Sequence, residues 1–251
     1  MILRAFRRSA PAKTARPTED SRIYAVGDVH GCFDLWRLLK AKILDDAAQA
    51  NRPRNVVVLL GDIVDRGPDS CAMVEELCGD PLPGFEILCL KGNHEDYLLR
   101  FLDDLSVAPS WLTYGGLATM RSYGIDVPDD YHRDLPIEAL QAEWRERLPD
   151  HHRDFLRGLK EIHVEGDFAF VHAGVRPGIP LELQSSEDLL WIRGPFLNSG
   201  EDFGKVIVHG HTISNAPEFR ANRIGIDTGA FVTGRLSCLV LDADERRIIE
   251  A

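Results

Sequence analysis

The chain has 251 residues, 44% of them apolar and 27% charged, with a formal net charge of −11. That length buries a substantial core as one α/β domain or two small ones, and the composition is ordinary for a soluble globular enzyme. The acidity argues against nucleic-acid or membrane partners, since both call for a clustered basic surface. Residues 1–20 (MILRAFRRSAPAKTARPTED) are basic, carry Pro11 and Pro17, and hold no sustained apolar run. They read as a flexible tail, because FRRSA is not followed by the apolar stretch an export signal needs. No run of about 18 apolar residues occurs, so no membrane span is expected. The five cysteines (Cys32, Cys71, Cys78, Cys89, Cys238) form no CxxC pair. That argues against a disulfide framework or zinc knuckle and fits a reducing, cytoplasmic location. Cys71, Cys89 and Cys238 read as core filler; Cys32, directly after GDVHG, is placed for oxidation or metal interference.

Taken in chain order, short apolar runs alternate with helical patterns. The strand candidates are IYAV (23–26), VVVLL (56–60), FEILCL (85–90), FAFVHA (168–173), KVIVHG (205–210), RIGI (223–226) and LSCLVLDA (236–243). Nearly continuous apolar strands belong to sheets covered on both faces. After the first run, DLWRLLKAKILDDAAQA places Leu35, Leu38, Leu39 and Leu44 at helical spacing. PDSCAMVEELCGD opens with a helix-start signal at Pro68 and Asp69 and stops near Gly79. HEDYLLRFLDDL follows the third run. The order β-α-β-α-β-α predicts α/β layering. Residues 106–160 differ, being rich in Trp, Arg, Glu and Leu, and read as a helical insertion over the sheet within a single domain, 21–251. Within it, SWLTYGGLATMRSYG (110–124) sets two glycines between aromatics and reads as a loop beside the site.

Chemistry gathers at the strand ends. GDVHG (27–31), GDIVDRG (61–67), GNHE (92–95), VHAG (171–174) and HGHT (209–212) each follow a predicted strand, where open α/β sheets place ligands. One Asp after a strand is usually a turn former; five such motifs at successive strand ends exceed turn chemistry. Asp28, His30, Asp62, Asn93, His172 and His211 offer carboxylate, carboxamide and imidazole donors, suited to Mn, Fe, Co or Zn. Six are more than one open catalytic ion needs and suit two ions sharing a carboxylate. The adjacent glycines let these short side chains converge. His209 reads as structural, and His132, His151, His152 and His163 as solvated or packing residues. Glu95 reads as a supporting or helix-start acid, and Asp227 in IGIDTGA as a turn.

The series GDVHG, GDIVDRG, GNHE, VHAG and GHT resembles the calcineurin-like metallophosphoesterase superfamily. Within it, GDxVDRG and GNHE resemble the phosphoprotein phosphatase branch, in particular bacterial serine/threonine phosphatases, across residues 23–242. The resemblance implies an α/β fold with a two-sheet β-sandwich flanked by helices and two divalent ions, Mn²⁺ first, at the strand ends. It implies that Asp28 and His30 bind the first ion, that Asp62 bridges both, and that Asn93, His172 and His211 bind the second. It further implies that Arg66, Arg193 (in WIRGPF) and Asn93 hold the substrate phosphate, and that His94 is the general acid oriented by Asp65. Two cations about 3.5–4 Å apart acidify a bridging water for in-line attack and neutralise phosphoryl charge. Arginine suits bidentate phosphate contact, and an imidazolium held by a carboxylate suits protonation of an alkoxide.

The leading expectation is therefore a metal-dependent phosphomonoesterase acting on phosphoserine or phosphothreonine proteins, with phosphotyrosine also open. The alternative is a symmetrical diadenosine tetraphosphate hydrolase or a phosphatase of small phosphate esters. A non-catalytic metal-binding scaffold would have lost ligands or the phosphate arginines, and here all are present. A monomer is expected.

Overall fold

Each apolar run becomes a strand in a computed structural model that describes residues 15–50, 52–132 and 134–251. The strands are β1 (Ser21–Val26), β2 (Arg54–Leu59), β3 (Glu86–Cys89), β4 (Ile162–Glu165), β5 (Phe168–Val171), β6 (Val206–His209), β7 (Glu218–Phe219), β8 (Arg223–Gly225), β9 (Ser237–Asp242) and β10 (Glu245–Glu250). They form two five-stranded sheets, ordered β10-β9-β1-β2-β3 and β4-β5-β6-β8-β7. β1, β2 and β3 run parallel, as do β5, β6 and β8, while β4, β7, β9 and β10 pair antiparallel. β4, β7 and β10 match no expected run. All three are sheet edges, where partial exposure removes the continuous apolar signature.

Strand alternation explains the layering. In β1, Ile23 and Ala25 point into the space between the sheets, and Tyr24 and Val26 to the other face. Between the sheets they meet Val56, Val58, Phe168, Phe170, Val208 and Leu239. The outer face of the first sheet is covered by α1 (Phe33–Ala50) and α2 (Ser70–Cys78). In α1 the buried stripe is Trp36, Leu39 and Ile43, while Leu38 and Leu44 face water; the indole brings more apolar surface than either leucine and sets the rotation. The outer face of the second sheet packs on α8 (Ser186–Trp191) and α9 (Gly194–Leu197) through Leu189, Ile192 and Phe196. A last short helix, α10 (Ala230–Thr233), precedes β9.

Residues between β3 and β4 are helical: α3 (Asn93–Arg100), α4 (Ala108–Trp111), α5 (Leu117–Ser122), α6 (Ile137–Arg147) and α7 (Asp150–Arg157). Trp111, Met120, Tyr123, Trp144 and Leu156 build a core of their own that also takes Val74 from α2 and Leu98 from α3. Trp111 and Tyr123 lie 5.6 and 5.0 Å from Trp144, centroid to centroid. The segment 110–124, expected as a loop, is helical on both sides of a break at Gly115 (φ 121°). Trp111, Leu112, Leu117 and Met120 supply a buried face on either side, so packing carries the helix past the glycines. At the break the Gly115 carbonyl accepts from the Arg66 N–H at 3.3 Å, and a β-carbon there would collide with the Arg66 backbone.

The expected flexible tail is corrected at its inner end. The Arg16 N–H donates to Asp167 Oδ2 (3.1 Å), its guanidinium pairs with Asp244, and the Thr18 hydroxyl donates to Glu165 Oε1 (2.5 Å). Polar side chains of the β4–β5 turn and of Asp244 thus hold this stretch; residues 1–14 lie outside the described residues. Among the described residues no helix is long and apolar enough to cross a membrane.

Phe170, fully buried between the sheets, tests this core. Phe170→Ala is expected to lower the stability measured by urea unfolding by about 3–5 kcal/mol, whereas Leu183→Ala, at a side chain 72% exposed, is expected to stay within about 0.5 kcal/mol of the parent.

Candidate active site

Parallel strands bring their carboxyl ends to one edge, and the polar residues of the motifs follow there. Asp28 and His30 come after β1; Asp62, Asp65 and Arg66 after β2; Asn93 and His94 open α3 after β3; His172 follows β5 and His211 follows β6. Together they surround a pocket of about 280 Å³. Asp28, His30, Asp62, Arg66, Asn93, His94, Arg193 and His211 line it, with His172 and Asp65 directly behind.

The backbone at this edge is strained. His30, Asp62, Asp65, Arg66 and His211 all take positive φ between 48° and 73°, and Ala243 is the other non-glycine residue in that region among the described ones. Such positions cost about 1–3 kcal/mol each and persist only when the surroundings fix them. Glu95 supplies much of the fixing. Its buried carboxylate accepts from the N–H groups of Asp62 (2.9 Å), Ile63 (2.7 Å), Val64 (3.2 Å) and Gly92 (2.7 Å). Burial and the Asp62 charge push the Glu95 carboxyl up to about 7, against the N–H donors that favour its ionised form. Gly92 is required where it stands, because a β-carbon would enter the Asp62 carboxylate.

Asp62 is the hub. Its Oδ2 lies 3.6 Å from His30 Nε2, 3.4 Å from His172 Nε2 and 3.8 Å from His94 Nε2. Asp62, His30 and His94 form one cluster of possible ligand atoms, and Asp62, His172 and His211 a second. Backbone carbonyls fix two of the rings: His30 Nδ1 lies 2.9 Å from the Val64 oxygen, and His172 Nδ1 2.9 Å from the Leu60 oxygen. Their Nε2 atoms are thereby aimed at Asp62, the orienting arrangement common around metal-binding imidazoles. Asn93 Oδ1 lies 2.9 Å from His172 Nε2. Asp28 lines the pocket but joins neither cluster; its carboxylate accepts from the His211 N–H at 3.0 and 3.2 Å.

Electrostatics separate the histidines. Burial lowers His30 to about 3 and His211 to about 2, and lowers His172 as well. These rings are neutral at pH 7 and free to donate lone pairs. Burial also opposes charge on His94, but the carboxylates of Asp62 and Asp65 outweigh it and raise its pKa. His94 Nδ1 lies 2.7 Å from Asp65 Oδ2, and that carboxylate also accepts from Trp111 Nε1–H (2.9 Å) and the Thr119 hydroxyl (2.6 Å). Arg66 Nη2 lies 3.2 Å from His94 Nε2, and its guanidinium carbon stands 4.5 Å from the Phe231 ring centroid. Across the pocket, Arg193 Nη1 donates to the Thr212 hydroxyl at 3.1 Å.

The residues fit divalent cations. His211 Nε2 is buried without a hydrogen-bond partner, and three buried carboxylates, Asp28, Asp62 and Asp227, face one another closely enough to interact. Burial, then the charges of Asp227 and Asp62, raises Asp28 well above the carboxylate range; burial and the Asp62 charge push Asp227 up to about 6. Carboxylates this crowded, beside neutral imidazoles, are relieved by bound cations.

The sequence expectations omitted several neighbours. Asp227, read as a turn, does accept from the Gly229 N–H (2.9 Å), but it also lines the pocket, as do Tyr97, Tyr114 and Trp191. Tyr97 stands one helical turn after Asn93 and Trp191 two residues before Arg193. Glu95, Trp111 and Thr119 form the supporting layer. His209 points away, with Nε2 3.4 Å from an Arg223 nitrogen. His151 and His152 meet Glu75 at 2.9 and 2.7 Å in a cluster between α2 and α7, outside the pocket, and His152 is buried against the Tyr123 hydroxyl. Cys32 is half-buried, its thiol pushed up to about 11 by burial and Asp69, which lowers its thiolate fraction at neutral pH.

A strand-edge cluster of this kind on a two-sheet sandwich fits a phosphoesterase. A model of the calcineurin-like phosphoesterases matches residues 21–233, and the chain belongs to that family. Among its relatives, the asymmetrical bis(5'-nucleosyl)-tetraphosphatase PrpE of Bacillus mycoides (strain KBAB4) is 24% identical over 233 residues, covering 85% of this chain and 88% of that protein. A symmetrical bis(5'-nucleosyl)-tetraphosphatase of Aromatoleum aromaticum is 31% identical over 156 residues, 62% of this chain and 45% of that protein. The latter match thus spans less than half of that relative. Two crystal structures share the fold: a candidate diadenosine tetraphosphatase (TM-score 0.62, 22% identity, 94% of this chain and 96% of that one) and a cold-active protein tyrosine phosphatase (TM-score 0.57, 18% identity, 95% and 83%).

Glu95→Ala would strand four buried N–H groups at about 1–3 kcal/mol each, comparable to the whole stability of a domain, about 5–15 kcal/mol. The variant is expected to be unfolded or at the margin of unfolding in native buffer by circular dichroism. An unchanged urea midpoint would remove Glu95 from its supporting role.

Proposed function

We propose that the chain is a hydrolase of phosphoanhydrides and phosphate esters, with dinucleoside polyphosphates as its preferred substrates. The motifs put phosphoserine and phosphothreonine proteins first; the relatives named bis(5'-nucleosyl)-tetraphosphatases favour the alternative. The observation that carries the reading is Asp62 standing between two imidazole clusters, beside two arginines, at one strand edge.

In this reading Asp28, His30, Asp62, Asn93, His172 and His211 hold two divalent cations, which when bound acidify water and neutralise phosphoryl charge. The neutral state of His30, His172 and His211 supports ligation, since no proton has to leave. Arg66 and Arg193 bind the equatorial phosphoryl oxygens with Asn93, and their forked guanidinium groups fix its orientation. His94 delivers a proton from Nε2 to the departing oxygen. Asp65 holds the ring through Nδ1, and Trp111 and Thr119 hold Asp65 in turn. A nucleotide phosphate leaves with little protonation, whereas an alkoxide from serine or threonine needs it. One constellation therefore serves both bonds, with different demands on His94.

Turnover of diadenosine tetraphosphate, a phosphothreonine peptide and a phosphotyrosine peptide by the Mn²⁺-loaded protein tests this. The dinucleotide is expected to turn over fastest and Asp62→Asn to abolish all activity. His94→Asn is expected to cost about 10²–10⁴-fold on the phosphothreonine peptide and clearly less on the dinucleotide. Peptide turnover exceeding that of the dinucleotide would return the assignment to protein phosphatases.

A further inference from the structure

A second groove lies beside the catalytic pocket. It has a volume of about 590 Å³ and is lined by Asp96, Tyr97 and Arg100 of α3 and by Glu187, Leu190 and Trp191 of α8. That volume falls within the range of small-molecule sites, about 300–1,000 Å³. The two spaces share Tyr97 and Trp191. We propose that this groove binds the nucleoside end of a dinucleoside polyphosphate, with the base stacked on Tyr97 and Trp191. The inference rests on the phosphohydrolase reading above and names the part of the substrate that the metal-site residues do not touch.

The helix geometry supplies the path. The first turn of α3 carries Asn93 and His94; Tyr97 follows one turn on and Arg100 two, about 10 Å along the axis from Asn93 at 1.5 Å per residue. On the facing side the Trp191 ring lies 6.2 Å from the ring of His211 and 4.9 Å from that of Tyr97. Both aromatic side chains are half-buried, with part of their surface open. A substrate whose phosphoryl group reaches Asp62 therefore has this aromatic pair within reach along α3.

Charge selects the occupant. Arg66 and Arg193, assigned above to the phosphate, line the pocket, not the groove. The groove carries Asp96 and Glu187, and its Arg100 lies 3.7 Å from Asp96 and 3.4 Å from Asp104, with its guanidinium carbon 5.8 Å from the Tyr97 centroid. Such a surface repels a further phosphate or an acidic peptide. It offers acceptors to ribose hydroxyls, a pairing carboxylates make in dinucleotide sites, and to exocyclic amino groups. A neutral, flat, hydroxyl-bearing nucleoside matches both the aromatic pair and the carboxylates.

The test compares kcat/KM for diadenosine tetraphosphate and for glycerol 2-phosphate in the Mn²⁺-loaded wild type, Trp191→Ala and Trp191→Phe. Loss of one stacking platform is expected to lower the ratio of dinucleotide to glycerol phosphate by about 5–150-fold, mainly through KM, and Trp191→Phe is expected to restore most of it. A direct readout is independent of turnover. Trp36, Trp111 and Trp144 are fully buried, so adenosine is expected to quench tryptophan emission saturably through Trp191, and the quench is expected to vanish in Trp191→Phe. An unchanged ratio, or no saturable quench by adenosine, overturns the assignment of the groove while leaving the hydrolase reading intact. A phosphothreonine peptide that loses as much as the dinucleotide in Trp191→Ala overturns it in favour of peptide binding. Failure of the wild type to hydrolyse either substrate defeats the hydrolase reading, and the adenosine titration then decides the groove alone.

Discussion

One buried carboxylate, that of Glu95, clasps four backbone N–H groups across the β2 and β3 strand ends. On that clasp depends the left-handed backbone at Asp62, and on Asp62 depends the meeting of both imidazole clusters. Four N–H bonds to a single carboxyl group reinforce one another inside a dry core. They compensate the local strain that hairpin or helix geometry would otherwise remove. The sandwich beneath is the rigid base for this, since parallel strands in both sheets deliver their motifs to a common edge.

From that arrangement follows a division of labour among side chains of the same chemical type. His30 and His172 are turned by backbone carbonyls so that neutral Nε2 atoms face Asp62. His94, one residue from Asn93, is held by Asp65 and kept more basic. Burial keeps His30 and His172 neutral, whereas at His94 the carboxylates of Asp62 and Asp65 outweigh burial and favour the cation. The helical segment contributes here, because Trp111 and Thr119 hold Asp65 and the Gly115 carbonyl holds Arg66. Its core is therefore tied to the site as well as to the sheet.

Much of this was legible in the sequence. The seven apolar runs all form strands, six of them largely buried and β3 a half-exposed edge whose Ile87, Leu88 and Cys89 still make a continuous apolar run, and the strand-end motifs converge because parallel strands share an end. The edge strands β4, β7 and β10 are not legible, because polar residues interrupt the apolar run. Residues 110–124 were misread because Gly115 and Gly116 outweighed the apolar spacing of Trp111, Leu112, Leu117 and Met120, which burial turned into helix. In the sequence Asp227 reads as a turn residue. It does make that turn, and only the tertiary fold shows that the same carboxylate faces the pocket. Tyr97 and Trp191 carry no motif, and their place beside the centre follows from how α3 and α8 are set against each other.

The central claim is that Asp62 is the carboxylate shared by two cation sites, and the most direct test counts metal. Purified wild type and Asp62→Ala would be loaded with Mn²⁺, dialysed together and measured for metal per chain by inductively coupled plasma mass spectrometry, with circular dichroism confirming that both are folded. Two ions per chain in the wild type, and loss of metal from both sites in Asp62→Ala, are the predicted result. A folded Asp62→Ala that keeps two ions, or a wild type that holds only one, would contradict the shared-carboxylate account.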